Sequence, residues 1–169
     1  WATLAQTIDG VSRSVGNAVA WAAIAMALVT TTVVILRYGF GQGAIAAQES
    51  VLYLHGTLFM LGAAPTLLAN KHVRVDVFYR NFSDRQKHWV NTIGHTVFTL
   101  PFCTLIVFGS WGYVSESWFI MESSPEPGGI PAVFLLKTLI PAMALLLALQ
   151  AVSLIIQGLI ELSEAPTDG

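Results

Sequence analysis

The sequence predicts an all-α integral membrane protein with four transmembrane helices, its N-terminus and C-terminus both on the cytoplasmic side. Three observations carry that expectation. The 169 residues are 54% hydrophobic and only 11% charged, where a soluble domain carries about 25% charged residues, and the mean hydropathy is +0.66. Too few polar groups are present to coat a surface in water, so lipid is the natural solvent. Four apolar stretches reach the roughly 20 residues that cross a hydrocarbon core of about 30 Å. Between the second and third stretches lies Leu68 to Lys87, which holds Lys71, Arg74, Arg80, Arg85 and Lys87, five of the chain's eight basic residues. Short loops rich in Lys and Arg stay in the cytoplasm, so this segment fixes how the rest is threaded.

The first span is expected over residues 15–37, from Val15 to the apolar end at Leu36 and Arg37. Before it, Leu4, Ile8 and Val11 alternate with Gln6, Asp9 and Arg13. That pattern fits a short interfacial helix lying on the membrane, or equally a frayed first turn. The segment does not resemble a signal peptide, because Arg13 leads into a stretch of full membrane length. Tyr38 to Gln48 is a glycine-containing connection. The second span is expected over 45–69, long enough to tilt, with a kink at Pro65, since membrane helices tolerate proline where neighbours satisfy the freed carbonyl.

Ser83-Asp84-Arg85-Gln86 has the form of a capping box, Ser at the N-cap and Gln three residues on. It starts a third helix in the cytoplasm. That span is expected over 89–118, with Pro101 midway and Trp111, Tyr113 and Trp118 forming an aromatic belt at the far interface. The turn Glu122 to Gly129 (ESSPEPGG) carries two acids and no base. Pro131 suits the first residue of a fourth helix, expected over 131–162 and stopped by Pro166. A basic second loop, an acidic third one and Arg13 ahead of the first span all give the same threading. Without repeats or a long linker, residues 1–169 are expected to form one transmembrane domain. Lys137, on the outer side of the fourth helix, is expected to snorkel to the interface.

Composition also limits the chemistry. A net charge of −2 excludes a strongly basic nucleic-acid binder, and one cysteine, Cys103, excludes a disulfide framework or a paired-cysteine metal site. Ionisable groups inside a membrane are functional candidates. Here they are His55, His95 and, at the margin, Lys137, with no Asp or Glu at mid-span. His55 lies near the outer side and His95 near the inner. At 1.5 Å rise per residue their depths differ by roughly 10 Å, too far for one metal, so interhelical hydrogen bonding or packing is the expected role. Arg37 and Glu49, facing each other across a short loop, are expected to form an ion pair or to meet a partner subunit. His72-Val73-Arg74-Val75-Asp76-Val77 alternates polar and apolar residues. Without a strand partner, it is expected to form a structured loop under the helix ends, where Lys71, His72 and Arg74 could hold anionic lipid headgroups. Gly56, Gly62, Ala63 and Ala64 offer a small-residue surface for close helix approach. No phosphate loop, zinc motif or activated nucleophile is present, so neither an enzyme nor a cofactor is expected.

The run ILRYGF closing the first span, Gln48-Glu49-Ser50, Gly62-Ala63-Ala64, KTLIP at Lys137 and above all KHVRVDVFY from Lys71 resemble the small membrane subunit of tripartite ATP-independent periplasmic transporters. The likeness runs from about Val15 to Ile160. The family often has a Trp before paired acids at the start of the second helix; Ala47-Gln48-Glu49 leaves one acid, Glu49. The resemblance implies a multi-pass subunit of the bacterial inner membrane. It would scaffold a large membrane subunit that moves organic acids with sodium, and help dock the periplasmic substrate-binding protein. Arg37, Glu49, Lys71, His72, Arg74, Asp76 and Lys137 are then the expected contacts to partner or lipid. Two other readings of the residues stand beside it: a small oligomeric transporter or channel, and a membrane redox subunit binding haem through its histidines.

Overall fold

A computed structural model describes residues 1–72 and 79–164. Its described residues are helical, without a strand, and four helical stretches are long and apolar enough to cross a membrane. The first is α1, Ala2–Phe40. It begins well before the expected span, and at 39 residues it would extend about 58 Å. Its N-terminal part is neither a separate surface helix nor a frayed turn. Ala5, Asp9 and Ser12 are buried while Leu4 and Val11 are exposed, so the face packed on protein is the small and polar one, not the apolar one. At the other end, Gly41 adopts φ +66 and returns its N–H to the Leu36 carbonyl, a left-handed conformation that a side chain would disfavour.

The second stretch comprises α2, Ile45–Leu61, and α3, Ala63–Leu68. The helix lapses at Gly62, one turn ahead of Pro65, whose missing N–H leaves the Leu61 carbonyl without its helical donor. The chain continues in helical register, because the Thr66 N–H and hydroxyl both reach the Gly62 carbonyl. A Schellman motif ends α3. Asn70 takes φ 54, its N–H bonds the Leu67 carbonyl, and the Lys71 N–H bonds that of Thr66.

The third stretch opens as the sequence predicts, with both bonds of the Ser83/Gln86 capping box formed. It runs through α4, Asp84–Gly94, a π-helical turn at His95–Thr99, and α5, Leu100–Phe119. The π turn sits just ahead of Pro101, where the proline ring cannot accept ordinary helical packing against the carbonyl of Val97. The fourth stretch, α6, runs Val133–Glu164 with Pro141 inside it. It starts two residues after Pro131, which belongs to the preceding turn; the expected stop at Pro166 lies outside the described residues.

Helix α6 is the centre of the packing: it touches α1, α2, α3, α4, the π turn and α5. Its most apolar window is 28% buried, against 6–11% for the other three stretches. The buried residues are mostly small or polar, among them Ala64, Cys103, Ser117, Ala144, Gln150, Ala151 and Ser153, whereas Trp21, Leu28, Phe59, Phe98, Phe108 and Trp111 point outward. Apolar surface gains nothing by burial when the solvent is lipid. Helices then associate through close backbone approach and interhelical hydrogen bonds. Glycines show where. A Cβ on Gly56 would lie 3.1 Å from Leu136, one on Gly16 would lie 2.9 Å from Pro65, and one on Gly158 would lie 2.4 Å from the Thr92 hydroxyl. The expected small-residue surface thus holds at Gly56 and at the buried Ala64, while Gly62 meets only its own helix at the Leu58 carbonyl.

Candidate functional site

Two polar clusters tie the helices together, one near each end of α6. The outer one is built on the loop between α5 and α6. A further left-handed helix stop orders its start: Met121 takes φ 47, its N–H bonds the Trp118 carbonyl, and the Glu122 N–H bonds that of Ser117. This aims the Glu122 carboxylate back at the helix ends, where it accepts from the Ser117 hydroxyl at 2.6 Å and from Lys137 Nζ at 2.5 Å. Lys137 also lies 3.9 Å from the centre of the Tyr113 ring, a cation–π position. The ammonium and then the Ser117 hydroxyl hold the Glu122 carboxyl below its ordinary 4.5, against partial desolvation that raises it. Beside this pair, Trp118 Nε1 donates to the Thr138 hydroxyl at 2.8 Å and packs edge-on against Phe134.

Lys137 therefore ends on the outer loop rather than in open solvent. A carboxylate one loop away neutralises it within the protein, which keeps its side chain only 14% exposed.

Glu49 belongs to the same cluster from the opposite side. Its carboxylate accepts the Ser124 hydroxyl and, at 2.6 Å, the Ile130 N–H. The expected Arg37–Glu49 pair is absent: among the described residues the ion pairs are Lys87–Asp84, His88–Glu161 and Lys137–Glu122. Two donors in the outer loop satisfy Glu49, and Arg37 stays exposed at the end of α1.

The inner cluster joins α1 to α6. Asp9 accepts from Gln150 Nε2 at 2.9 Å and the Ser153 hydroxyl at 2.7 Å on one oxygen, and from Gln157 Nε2 at 3.0 Å on the other. Ser12 donates to the Gln150 carbonyl oxygen at 2.6 Å. Asp9, Ser12, Gln150 and Ser153 are all buried. The sequence leaves Asp9 on a surface helix or in a frayed first turn and gives Gln150, Ser153 and Gln157 no role. The signal was there: three polar residues at a spacing of three and four in the apolar run of α6 define one helix face that needs a polar partner. Nearby, His88, Asn91, Thr92, His95, Gln157 and Glu161 line a cavity of about 210 Å³, with His88 2.7 Å from Glu161.

The histidines and the basic segment complete the picture. His55 is exposed and stacks on Phe59 of its own helix, and His95 reaches Thr99 one turn on at 3.2 Å. Both of these contacts lie within a helix; His95 also lines cavities with Leu67 of α3 and with Leu147 and Leu154 of α6. Lys71 is exposed. His72, also exposed, lies at the edge of two mainly apolar grooves of about 670 and 450 Å³. Arg74 and Asp76, with the loop expected around them, lie outside the described residues.

Residues 26–161 match the family model described as Tripartite ATP-independent periplasmic transporters, DctQ component. The chain belongs to this family. A DctQ component is part of a transporter and not an enzyme. The chain is similar to the C4-dicarboxylate TRAP transporter small permease protein DctQ of Vibrio cholerae serotype O1 (strain ATCC 39315 / El Tor Inaba N16961), 26% identical over 108 residues. The similarity covers 61% of this chain and 46% of that relative, so the chain spans about half the relative's length. No solved structure matches. As a small TRAP permease, the chain has the outer cluster and the Gln150–Gln157 face within the matched residues, whereas Asp9 and Ser12 precede them.

Proposed function

We propose that this small permease is a non-catalytic scaffold. It would bind the large membrane subunit of a sodium-coupled transporter for organic acids in the bacterial inner membrane and help receive the periplasmic substrate-binding protein. C4-dicarboxylates, named for the Vibrio relative, are the substrate class to try first. The observation that carries the reading is the distribution of polar groups. Side chains between the helices bond one another at both ends of α6, while large apolar side chains face outward along all four stretches. Such a body presents an apolar exterior to lipid or to another membrane subunit and keeps its polar groups for its own assembly. Arg37 supports a partner contact at the outer end, being exposed beside Tyr38 and Phe40, which are 83% and 69% exposed. Lys71 and His72 support contact with anionic lipid at the inner end. The four spans would act as one domain, N-terminus and C-terminus inside.

Co-expression with the large subunit tests this directly. The two should co-purify in detergent, and liposomes holding both should take up organic acid with sodium when the binding protein is added. Liposomes holding the small subunit alone should not. Uptake by the small subunit alone would refute the scaffold reading.

A further inference from the structure

We infer that Glu49 is a positioning residue that pre-orders the outer loop for the periplasmic binding protein. The inference rests on the subunit reading above and adds to it a residue and a mechanism. The loop between α5 and α6 covers residues 120–132, longer than the roughly 2–8 residues that usually join neighbouring helices. It is internally braced. The Val133 N–H bonds the Glu122 carbonyl at 3.1 Å, the Ser124 N–H bonds that of Ile130 at 3.3 Å, and the Gly129 N–H bonds that of Glu126 at 2.9 Å. Pro125, Pro127 and Pro131 each fix a φ. From a different span, the Glu49 carboxylate then grips the loop on both sides of its tip, taking the Ser124 hydroxyl on one oxygen and the Ile130 N–H on the other. Gly129 is cut to fit this grip: a Cβ there would come within 2.4 Å of the Ser124 hydroxyl oxygen and 2.8 Å of Glu49 Oε1.

The tip itself, Pro125 to Gly128, is exposed, Glu126 included. A turn that only reversed the chain would need none of this bracing. A loop that must be met by a soluble protein gains from it, because ordering done in advance is not subtracted from the binding free energy. Charge places the loop opposite the basic Lys71–Lys87 segment, hence on the side where a periplasmic partner arrives.

The test uses the complete transporter, with both membrane subunits in proteoliposomes and the binding protein titrated outside. Glu49→Ala and Gly129→Ala should each raise the binding-protein concentration for half-maximal uptake by about tenfold, the effect of ordering one or two more side chains on contact. Glu49→Gln, which keeps one acceptor in place, should fall between. The maximal rate at saturating binding protein and co-purification with the large subunit should not change. Glu126→Lys alters the tip and leaves the latch, so it should shift half-saturation as well. A shift with Glu126→Lys alone would overturn the latch and leave docking standing; no shift in any variant would overturn docking by this loop. Loss of co-purification in Glu49→Ala would move Glu49 into the subunit contact and overturn the inference. Failure of the unmodified chain to co-purify would instead sink the scaffold reading.

Discussion

At the scale of single residues, two carboxylates that the sequence left without a partner, Glu122 and Asp9, hold the ends of the bundle. Glu122 lies outside the spanning helices, and its carboxyl titrates below 4.5 because Lys137 and then Ser117 favour the charged form. A depressed folded value means that the contribution is complete above the ordinary carboxylate range and disappears as pH falls through the lower folded value. Glu122→Gln should therefore lower the thermal midpoint of the purified protein at neutral pH, and the gap to the unmodified chain should close in acid below that value. A gap that never narrows as the protein is acidified would contradict the pairing. Asp9 offers a sharper contrast. Asp9→Leu strands an amide donor on the buried Gln150 and one on the part-buried Gln157, at about 1–3 kcal/mol for each group left unsatisfied, while the Ser153 hydroxyl keeps the Ala5 carbonyl. Asp9→Asn keeps an oxygen for Gln150 and Ser153 and should retain most of the midpoint, as measured by thermal unfolding in detergent. Equal losses for the two variants would show that the hydrogen bonds are unimportant there.

At the scale of helices, contact distance in the chain decided what could be read in advance. The Ser83/Gln86 box was legible because donor and acceptor sit three residues apart and need only the start of a helix. The bonds of Glu49 span 75 and 81 residues, and no local pattern announces them; Arg37 was merely the nearest cation in sequence. At Pro65 a kink was expected, since a missing N–H must show; the helix instead lapses for one residue at Gly62, a placement that the sequence did not announce. Close approach was legible only in part. Gly158 touches the third span at Thr92, whose hydroxyl lacks a hydrogen-bond partner and is buried against that glycine. Gly158→Ala should push α4 from α6, because Thr92 is β-branched and stiff at χ1 in a helix. Thr92→Ala removes the hydroxyl that lies 2.4 Å from the new Cβ and leaves the Thr92 Cβ at 3.8 Å, so the double variant should recover stability lost by the single one. A midpoint no better in the double variant than in Gly158→Ala would show that the glycine is not set by this contact.

At the scale of the molecule, the clusters mark out a membrane. From Lys137 the inner cluster begins 13 residues along α6 at Gln150 and ends 20 residues along at Gln157, about 20–30 Å of helix, which approaches the thickness of a hydrocarbon core at its far end. The Glu122–Lys137 pair and the Asp9 network thus fall at opposite faces, and the first helix is long enough to reach from one to the other with tilt to spare. On the threading proposed from charge, Arg80 and Arg13 would belong with the cytoplasm and Glu126 with the periplasm. All three are exposed, and the native Cys103 is buried, so single cysteines can report the orientation cleanly. In intact cells with a permeabilised outer membrane, a membrane-impermeant maleimide should label Glu126→Cys but neither Arg80→Cys nor Arg13→Cys, and lysis should expose the latter two. Labelling of Arg80→Cys from outside would turn the bundle over. The outer loop would then face the cytoplasm, Glu49 could no longer serve a periplasmic partner, and the latch would have to be understood as part of the fold alone.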